Sequence, residues 1–249
     1  MDLEQAFRSA QGAIRACANP VIGVDISSMP RRAIADIVEW LASQNDVSAD
    51  VHFLYCPGEF ATSALAARRS GPLSAAPISK FFAGSLRSPS IPIGLVLGLG
   101  LEPYRALGVI EFLEPARVWL FAGRSGDARF EAAAWDMHHS LIDATDSENL
   151  YQYDIRSLSD TYQAVESLSF SVGLSYRLIL APSGPKLFSL ACLLVGSSRD
   201  DSRPAVWRVG NSEMMMPMEV EEAGDVAASV VHFDAAVSTI PGRSVESLG

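Results

Sequence analysis

Short, almost uniformly apolar runs alternate with helix-like segments along most of this 249-residue chain. Runs such as VIGVD at 21–25, IPIGLVLG at 91–98 and RVWLFAG at 117–123 have the length of typical strands, about 5–7 residues. A strand without a polar face must be buried on both sides, which favours a parallel sheet covered by helices. The sequence therefore predicts an α/β fold: a Rossmann-like, doubly wound, mainly parallel sheet of about six strands with helices on both faces.

The alternation covers residues 1–209, which we predict to form a single domain with an irregular excursion at about 59–90. Residues 210–249 break the pattern and are predicted to be a C-terminal extension. Within it, Ala227–Phe233 has the pattern of an edge strand, and the final residues have the composition of a loose tail. A closed barrel of eight strand–helix units is the alternative architecture, but the chain contains too few units for it.

Charge and composition limit the classes of partner. The formal net charge is −10 and Lys and Arg never form runs longer than a pair, so binding to duplex nucleic acid is not expected. No apolar stretch reaches the ~18 residues of a membrane span, and the first residues lack the pattern of a signal peptide. The three cysteines lie in apolar segments without a pairing pattern, which is typical of buried thiols in a reducing compartment. The sequence therefore predicts a cytoplasmic protein without membrane contact, in which any anion site is local.

The SGPK segment at 183–186 is the strongest candidate for a ligand site. It follows a predicted buried strand and precedes an apolar helix, and ligands of open α/β sheets lie beyond the carboxyl ends of the strands. Gly184 allows the backbone to approach a ligand closely, while the helix N-terminus and Lys186 favour an anion. The hydroxyl of Ser183 offers a further hydrogen bond. An ordinary tight turn with a solvated lysine is the alternative.

Two other loops also follow predicted strands. Gly98 and Gly100 come directly after a strand but lack the third glycine of a dinucleotide fingerprint, so a ligand-contacting loop and a tightly packed turn both stay open. In the DISSMPR loop, Asp25 could bind a ribose hydroxyl or a metal, or could exchange a proton as an acid or base. Ser27 could cap the next helix or contact a ligand. Arg31 could bind phosphate. An ion pair between Asp25 and Arg31 that only orders the loop is the alternative. Small and charged residues also follow the remaining strands: Gly123, Arg124, Ser125, Gly126, Asp154 and Arg156.

Several catalytic signatures are missing from the sequence. Lys186 does not lie in a Walker A spacing, and neither HExxH, CxxC nor GxSxG occurs. We therefore expect no metal site and no cofactor. An enzyme acting on a nucleotide or nucleoside phosphate stays a hypothesis, with Asp25 or Glu102 as acid or base and with Lys186 and Arg31 holding the phosphate.

Two stretches, LVLGLGLEPYRALGVIEFLEPARVWLFAG and LILAPSGPKLFSLACLLVG, each contain a strand, a glycine-containing loop and a helix. Together they resemble the CRISPR-associated Rossmann-fold (CARF) sensor domains over about residues 91–209. The second stretch is similar to a later strand of that family with its Gly-Thr-Lys-like turn, where Pro185 replaces the threonine. The resemblance implies that Gly98, Gly100, Glu102 and the SGPK turn face a nucleotide signal.

The resemblance also implies a biological setting. Residues 210–249 are too few for the effector nuclease that such sensors control, so we expect a divergent relative that acts with a separate effector in prokaryotic antiviral defence. Three functions stay open: a nucleotide-binding sensor or accessory module, a structural subunit of a multiprotein assembly with a Rossmann-like scaffold, and an enzyme. The expected partners are a nucleotide-type small molecule, a separate effector or assembly protein, and a second copy of the chain in a homodimer.

Overall fold

A computed structural model describes residues 3–44, 48–60, 73–85, 88–102, 104–198, 203–211, 221–234 and 245–248 of the chain. The helices in these residues are α1 (Leu3–Ala16), α2 (Arg31–Ser43), α3 (Arg105–Leu113), α4 (Ala128–Asp143), α5 (Leu158–Val172) and α6 (Lys186–Gly196), with a short 3-10 helix at Ser147–Asn149. The strands are β1 (Val21–Asp25), β2 (Ala49–Tyr55), β3 (Leu73–Pro77), β4 (Ile93–Leu99), β5 (Arg117–Arg124), β6 (Leu150–Asp154), β7 (Arg177–Ala181), β8 (Ala205–Asn211), β9 (Ala227–Phe233) and β10 (Val245–Leu248).

Six strands form the central sheet in the order β3-β8-β7-β4-β5-β6. All neighbours are parallel except β3, which runs antiparallel to β8. Helices α3 and α4 cover one face, where Val109 and Ile142 share a core cluster with Leu97. Helices α5 and α6 cover the other face, where the ring of Phe188 lies 5.2 Å from that of Phe121. The predicted fold class, a Rossmann-like α/β sheet that is mainly parallel, is confirmed.

Strand β4 shows how the sequence specifies this sandwich. Successive side chains of a strand point to opposite faces. Leu97 accordingly belongs to the core of α3 and α4, and Val96 to the core of α5 and α6. Because both faces are buried, no polar residue occurs in the strand. Gly98 lies on the same face as Val96, and its missing side chain leaves the room that the ring of Phe188 occupies.

Helix α6 is buried on every side, because each of its residues after Lys186 is buried. A helix that is apolar all round needs cover all round. Helix α6 packs against the sheet at β8 and against the helices α2 and α5. The helix is therefore buried from Leu187 onward, and Lys186 at its start is half-buried.

The first two strands form part of a second sheet, which the sequence did not predict. Strands β1 and β2 are parallel, and β9 and β10 extend their sheet in the order β1-β2-β9-β10 with antiparallel pairing. Ala227–Phe233 is a strand as predicted, but it lies between β2 and β10 instead of at an edge. The strand β10 falls in the predicted loose tail, and β3 falls in the predicted excursion. An apolar run indicates burial, but it does not identify the strand with which it pairs.

The cysteines and the apolar helices were the subject of two predictions from composition. Cys192 is buried as expected, whereas Cys17 is exposed and Cys56 is half-buried. Apolar neighbours in sequence did not bury Cys17, because it follows the last turn of a surface helix. Among the described helices, none combines the length and the apolarity that crossing a membrane would require.

Candidate functional site

The central sheet reverses its direction of growth between β4 and β7. From β4 the chain adds β5 and β6 on one side, and it then returns to add β7 and β8 on the other. In open α/β sheets, ligands bind at the carboxyl ends of the strands at such a switch point. The loops that follow β4 and β7 contain Gly100, Glu102, Ser183 and Gly184, so the structure brings two of the predicted loops together.

Glycines allow these two loops to touch. A Cβ atom at Gly184 would lie 2.6 Å from the carbonyl oxygen of Leu99, and the φ of +90° at this residue favours glycine. A Cβ atom at Gly98 would lie 2.4 Å from the carbonyl oxygen of Ser183, and one at Gly100 would lie 2.9 Å from the amide nitrogen of Gly184. Backbone packing thus explains all three glycines, and their predicted ligand contacts stay predictions.

The loop between β1 and α2 reaches the same place from the second sheet. The ammonium of Lys186 donates a hydrogen bond to the carbonyl oxygen of Ser27. In return, the guanidinium of Arg31 donates to the carbonyl oxygen of Gly184 and, over 2.9 Å, to the hydroxyl of Ser189. We call these contacts the inter-sheet clamp, since they join the loops of the two sheets through the two cations that the sequence singled out.

Asp25 has a local role in this loop. Its Oδ1 accepts a hydrogen bond of 2.8 Å from the main-chain N–H of Ser27, and the Ser27 hydroxyl accepts one of 2.8 Å from the N–H of Cys56. Hydrogen bonds from Ser27 hold the pKa of Asp25 below its usual value, and the charge of Lys186 adds to the effect. Asp25 and Arg31 form no ion pair with each other in the described structure, so the predicted alternative pairing is wrong.

Burial makes both cations of the clamp unusual. It lowers the pKa of Arg31. The charge of Glu102 opposes this downward shift, and the nearby positive charge of Arg105 reinforces it. Burial also lowers the pKa of Lys186, and the charge of Arg31 lowers it further, while Asp25 opposes the shift. Two partly desolvated cations that repel each other favour the approach of an anion.

The structure adds side chains that the sequence did not single out for this site. Arg105 forms an ion pair with Glu102 over 3.2 Å, so the carboxylate proposed as an acid or base already has a cation beside it. His138 is buried and contacts the carbonyl oxygen of Gly100 over 2.7 Å through Nε2. Burial raises the pKa of Tyr55, while a hydrogen bond from the main chain of Lys186 opposes the rise. Tyr55 lies near the end of the apolar run DVHFLYC at 50–56, and only this position in the sequence could have indicated its place here.

Unsatisfied polar atoms collect at this edge of the sheet. Within the described residues, the buried side-chain atoms without a hydrogen-bond partner are Oγ of Ser183, Oη of Tyr153 and Nε of Arg156. All three residues lie at or just beyond the carboxyl ends of β6 and β7. Buried polar atoms normally have partners, so three exceptions in one region indicate that this edge can bind a polar molecule.

The arrangement contains cations and hydroxyl groups but few elements of a catalytic centre. The described part of the chain holds no group of three or more His, Cys, Asp or Glu side chains that could bind a metal ion. Glu102 follows β4 of the central sheet, and Asp25 ends β1 of the second sheet. Each is already engaged, Asp25 by Ser27 and Glu102 by Arg105. An acid or base role for either carboxylate stays a prediction.

No protein-family model matches this sequence, and no curated protein is significantly similar to it. The resemblance to the CARF sensor domains therefore stays a prediction.

Proposed function

We propose that the chain is a nucleotide-binding sensor or accessory module whose anionic ligand binds at the carboxyl edge of the central sheet, at the start of α6. The observation that carries this proposal is the convergence of Lys186 and Arg31, from different sheets, on the switch point between β4 and β7. Convergent charges at a switch point are the usual setting of a nucleotide phosphate in an open α/β sheet.

The donors needed for a phosphate are present. Helix α6 begins after Pro185 and has no side-chain cap. The main chain of Lys186 hydrogen-bonds Tyr55, so the later N–H groups of the first turn are the ones that can serve a ligand. An ammonium carries three donors and a guanidinium five, so the clamp leaves capacity on both Lys186 and Arg31. The unpartnered hydroxyl of Ser183 lies two residues before the helix.

A sensing role agrees better with this site than catalysis does. The carboxylates already have partners, because Asp25 is hydrogen-bonded to Ser27 and Glu102 is ion-paired with Arg105. A ligand that competes for Lys186 would instead loosen the inter-sheet clamp, which would couple binding to the relative position of the two loops. The resemblance to CARF domains extends the proposal to a role in prokaryotic antiviral defence together with a separate effector.

The test is calorimetric titration with AMP, ADP, ATP, GTP and a cyclic dinucleotide, followed by thermal unfolding. A nucleotide at about 100 times its dissociation constant should add about 2.7 kcal/mol of stability. Lys186→Ala should remove binding, whereas the matched variant of an exposed lysine, Lys80→Ala, should retain it. The absence of binding and of a thermal shift with every nucleotide would refute the proposal.

A structural subunit is the second candidate, and the clamp itself favours it. Lys186 and Arg31 already donate to main-chain carbonyl groups across the two sheets, which is how a residue that only joins two loops would be used. In that case Lys186→Ala should lower the stability of the ligand-free protein strongly, and no nucleotide should bind. Size-exclusion chromatography of the wild-type protein, alone and with its co-purifying partners, would then reveal the assembly.

A further inference from the structure

A cavity of about 420 Å³ lies at the carboxyl ends of β5 and β6, and none of its lining residues belongs to the clamp. The segment of residues 124–126 and the first turn of α4 form one side of it, and the end of β6 forms the other. This volume lies within the range of roughly 300–1,000 Å³ that is typical of small-molecule sites. The sequence placed small and charged residues at this edge, and the proposed nucleotide site does not use them.

Two arginines supply the positive charge of the cavity. Arg124 is exposed and forms no ion pair with the described residues. Arg156 is held in place because its Nη1 donates to the carbonyl oxygen of Ser125 over 3.2 Å. Its Nε is buried and has no partner, and its Nη2 lies 3.9 Å from a carboxylate oxygen of Asp225, beyond hydrogen-bond distance. One well-oriented guanidinium with an unused donor and one free guanidinium therefore line the same cavity.

The carboxylates of the cavity are partly engaged by the loop. Oε1 of Glu131 accepts hydrogen bonds of 3.1 Å from the N–H groups of Ser125 and Gly126. Oδ1 of Asp154 accepts one of 2.8 Å from the N–H of Arg156. Each carboxylate thus orders the backbone with one oxygen and keeps the other as an acceptor.

These acceptors determine the kind of ligand. Gln152 and Asp154 are exposed and two residues apart in β6, so they project from the same face of the strand. Their amide and carboxylate oxygens can accept from hydroxyl groups, while the guanidinium groups of Arg124 and Arg156 match the oxygens of a phosphate. A bare anion would use only the arginines and would be repelled by the carboxylates.

We propose that this cavity is a second ligand site, separate from the one at Lys186, and that it binds a small phosphate ester with hydroxyl groups. The phosphate lies between Arg124 and Arg156, and the hydroxyl groups donate to Gln152 and Asp154. The proposal does not depend on nucleotide binding at the switch point, because none of these four residues belongs to the inter-sheet clamp.

The test is calorimetric titration of the full chain with glycerol 3-phosphate at low ionic strength, with inorganic phosphate and glycerol as comparisons. Glycerol 3-phosphate should bind more tightly than either comparison. Arg124→Gln should weaken its binding by about tenfold or more, since a charge-assisted contact to phosphate is lost. Arg156→Gln should act in the same direction, and the matched variant of an exposed arginine in β8, Arg208→Gln, should bind like the wild type.

Four results would overturn the proposal. Failure of glycerol 3-phosphate to bind would exclude the site, and unchanged binding in both Arg124→Gln and Arg156→Gln would exclude these residues. Loss of binding in Lys186→Ala would show that the ester occupies the switch point instead. Equal affinity for inorganic phosphate and glycerol 3-phosphate would exclude a hydroxyl-bearing ester as the ligand class.

Discussion

Replacing Gly98 by alanine tests whether the switch point is as tightly packed as the structure indicates. The new Cβ atom would lie 2.4 Å from the carbonyl oxygen of Ser183 and 2.6 Å from the ring of Phe188, although Cβ atoms essentially never approach other atoms to less than 3.0 Å. Phe188 is completely buried, so its ring cannot move aside into solvent. Overpacking of a core costs about 1–3 kcal/mol. Two close contacts, one of them with the backbone, place Gly98→Ala near the upper end, at about 3 kcal/mol.

The measurement is urea unfolding, monitored by circular dichroism, of Gly98→Ala beside a matched strand variant, Gly23→Ala. Gly23 has no atom within 4 Å of its ideal Cβ position and a φ that alanine accepts. Alanine there restricts the unfolded chain, so the stability of Gly23→Ala should stay unchanged or rise by up to about 1 kcal/mol. A loss of stability in Gly98→Ala below about 1 kcal/mol, the lower limit for overpacking, would contradict tight packing at Gly98. A loss no larger than that of Gly23→Ala would contradict it as well.

Three further predictions concern single groups. The pKa of Asp25 is held below the usual 3.8, so its contribution to stability is present above that pH and is lost as the pH falls through the folded-state pKa. Asp25→Asn should remove this acid-induced loss of stability, measured as the free energy of unfolding between pH 5 and 2. Tyr153→Phe removes a buried hydroxyl that has no hydrogen-bond partner, so it should raise the free energy of unfolding in urea by about 1 kcal/mol. A decrease in this free energy would show that the hydroxyl has a hydrogen-bond partner. Burial raises the pKa of Cys192, so a thiol reagent at pH 8 should modify the exposed Cys17 within the native protein and Cys192 only after unfolding.

The central sheet was predictable because strands that are buried on both faces are apolar at nearly every position. Runs such as IGLVLGL contain no polar residue, and the loops after them are short and rich in glycine. The position of the Ser183 and Gly100 loops followed from the rule that ligand sites lie beyond the carboxyl ends of strands. These features depend on local sequence and on one general rule of topology.

The second sheet and the clamp were not predictable in the same way. The pairing of β2 with β9 joins residues far apart in the chain, and neither apolar run specifies its partner. An ion pair of Arg31 with Asp25, its near neighbour, was one of two interpretations of the sequence. The hydrogen-bond partners of Arg31 are instead Gly184 and Ser189, more than 150 positions later. Likewise, the contact between His138 and Gly100 depends on how α4 lies over the switch point.

The position of β9 also determines when the second sheet can be completed during synthesis on the ribosome. Strands β4 to β8 form a continuous stretch of chain and can pair as soon as they have emerged. Strands β1 and β2 are made first, yet one edge of β2 stays open until β9 arrives. At about 5–20 residues per second, the 171 positions between Tyr55 and the start of β9 correspond to roughly 10–30 seconds of synthesis. During that interval an apolar strand edge is exposed, so this is the period in which chaperones and premature termination should affect the yield of native protein most.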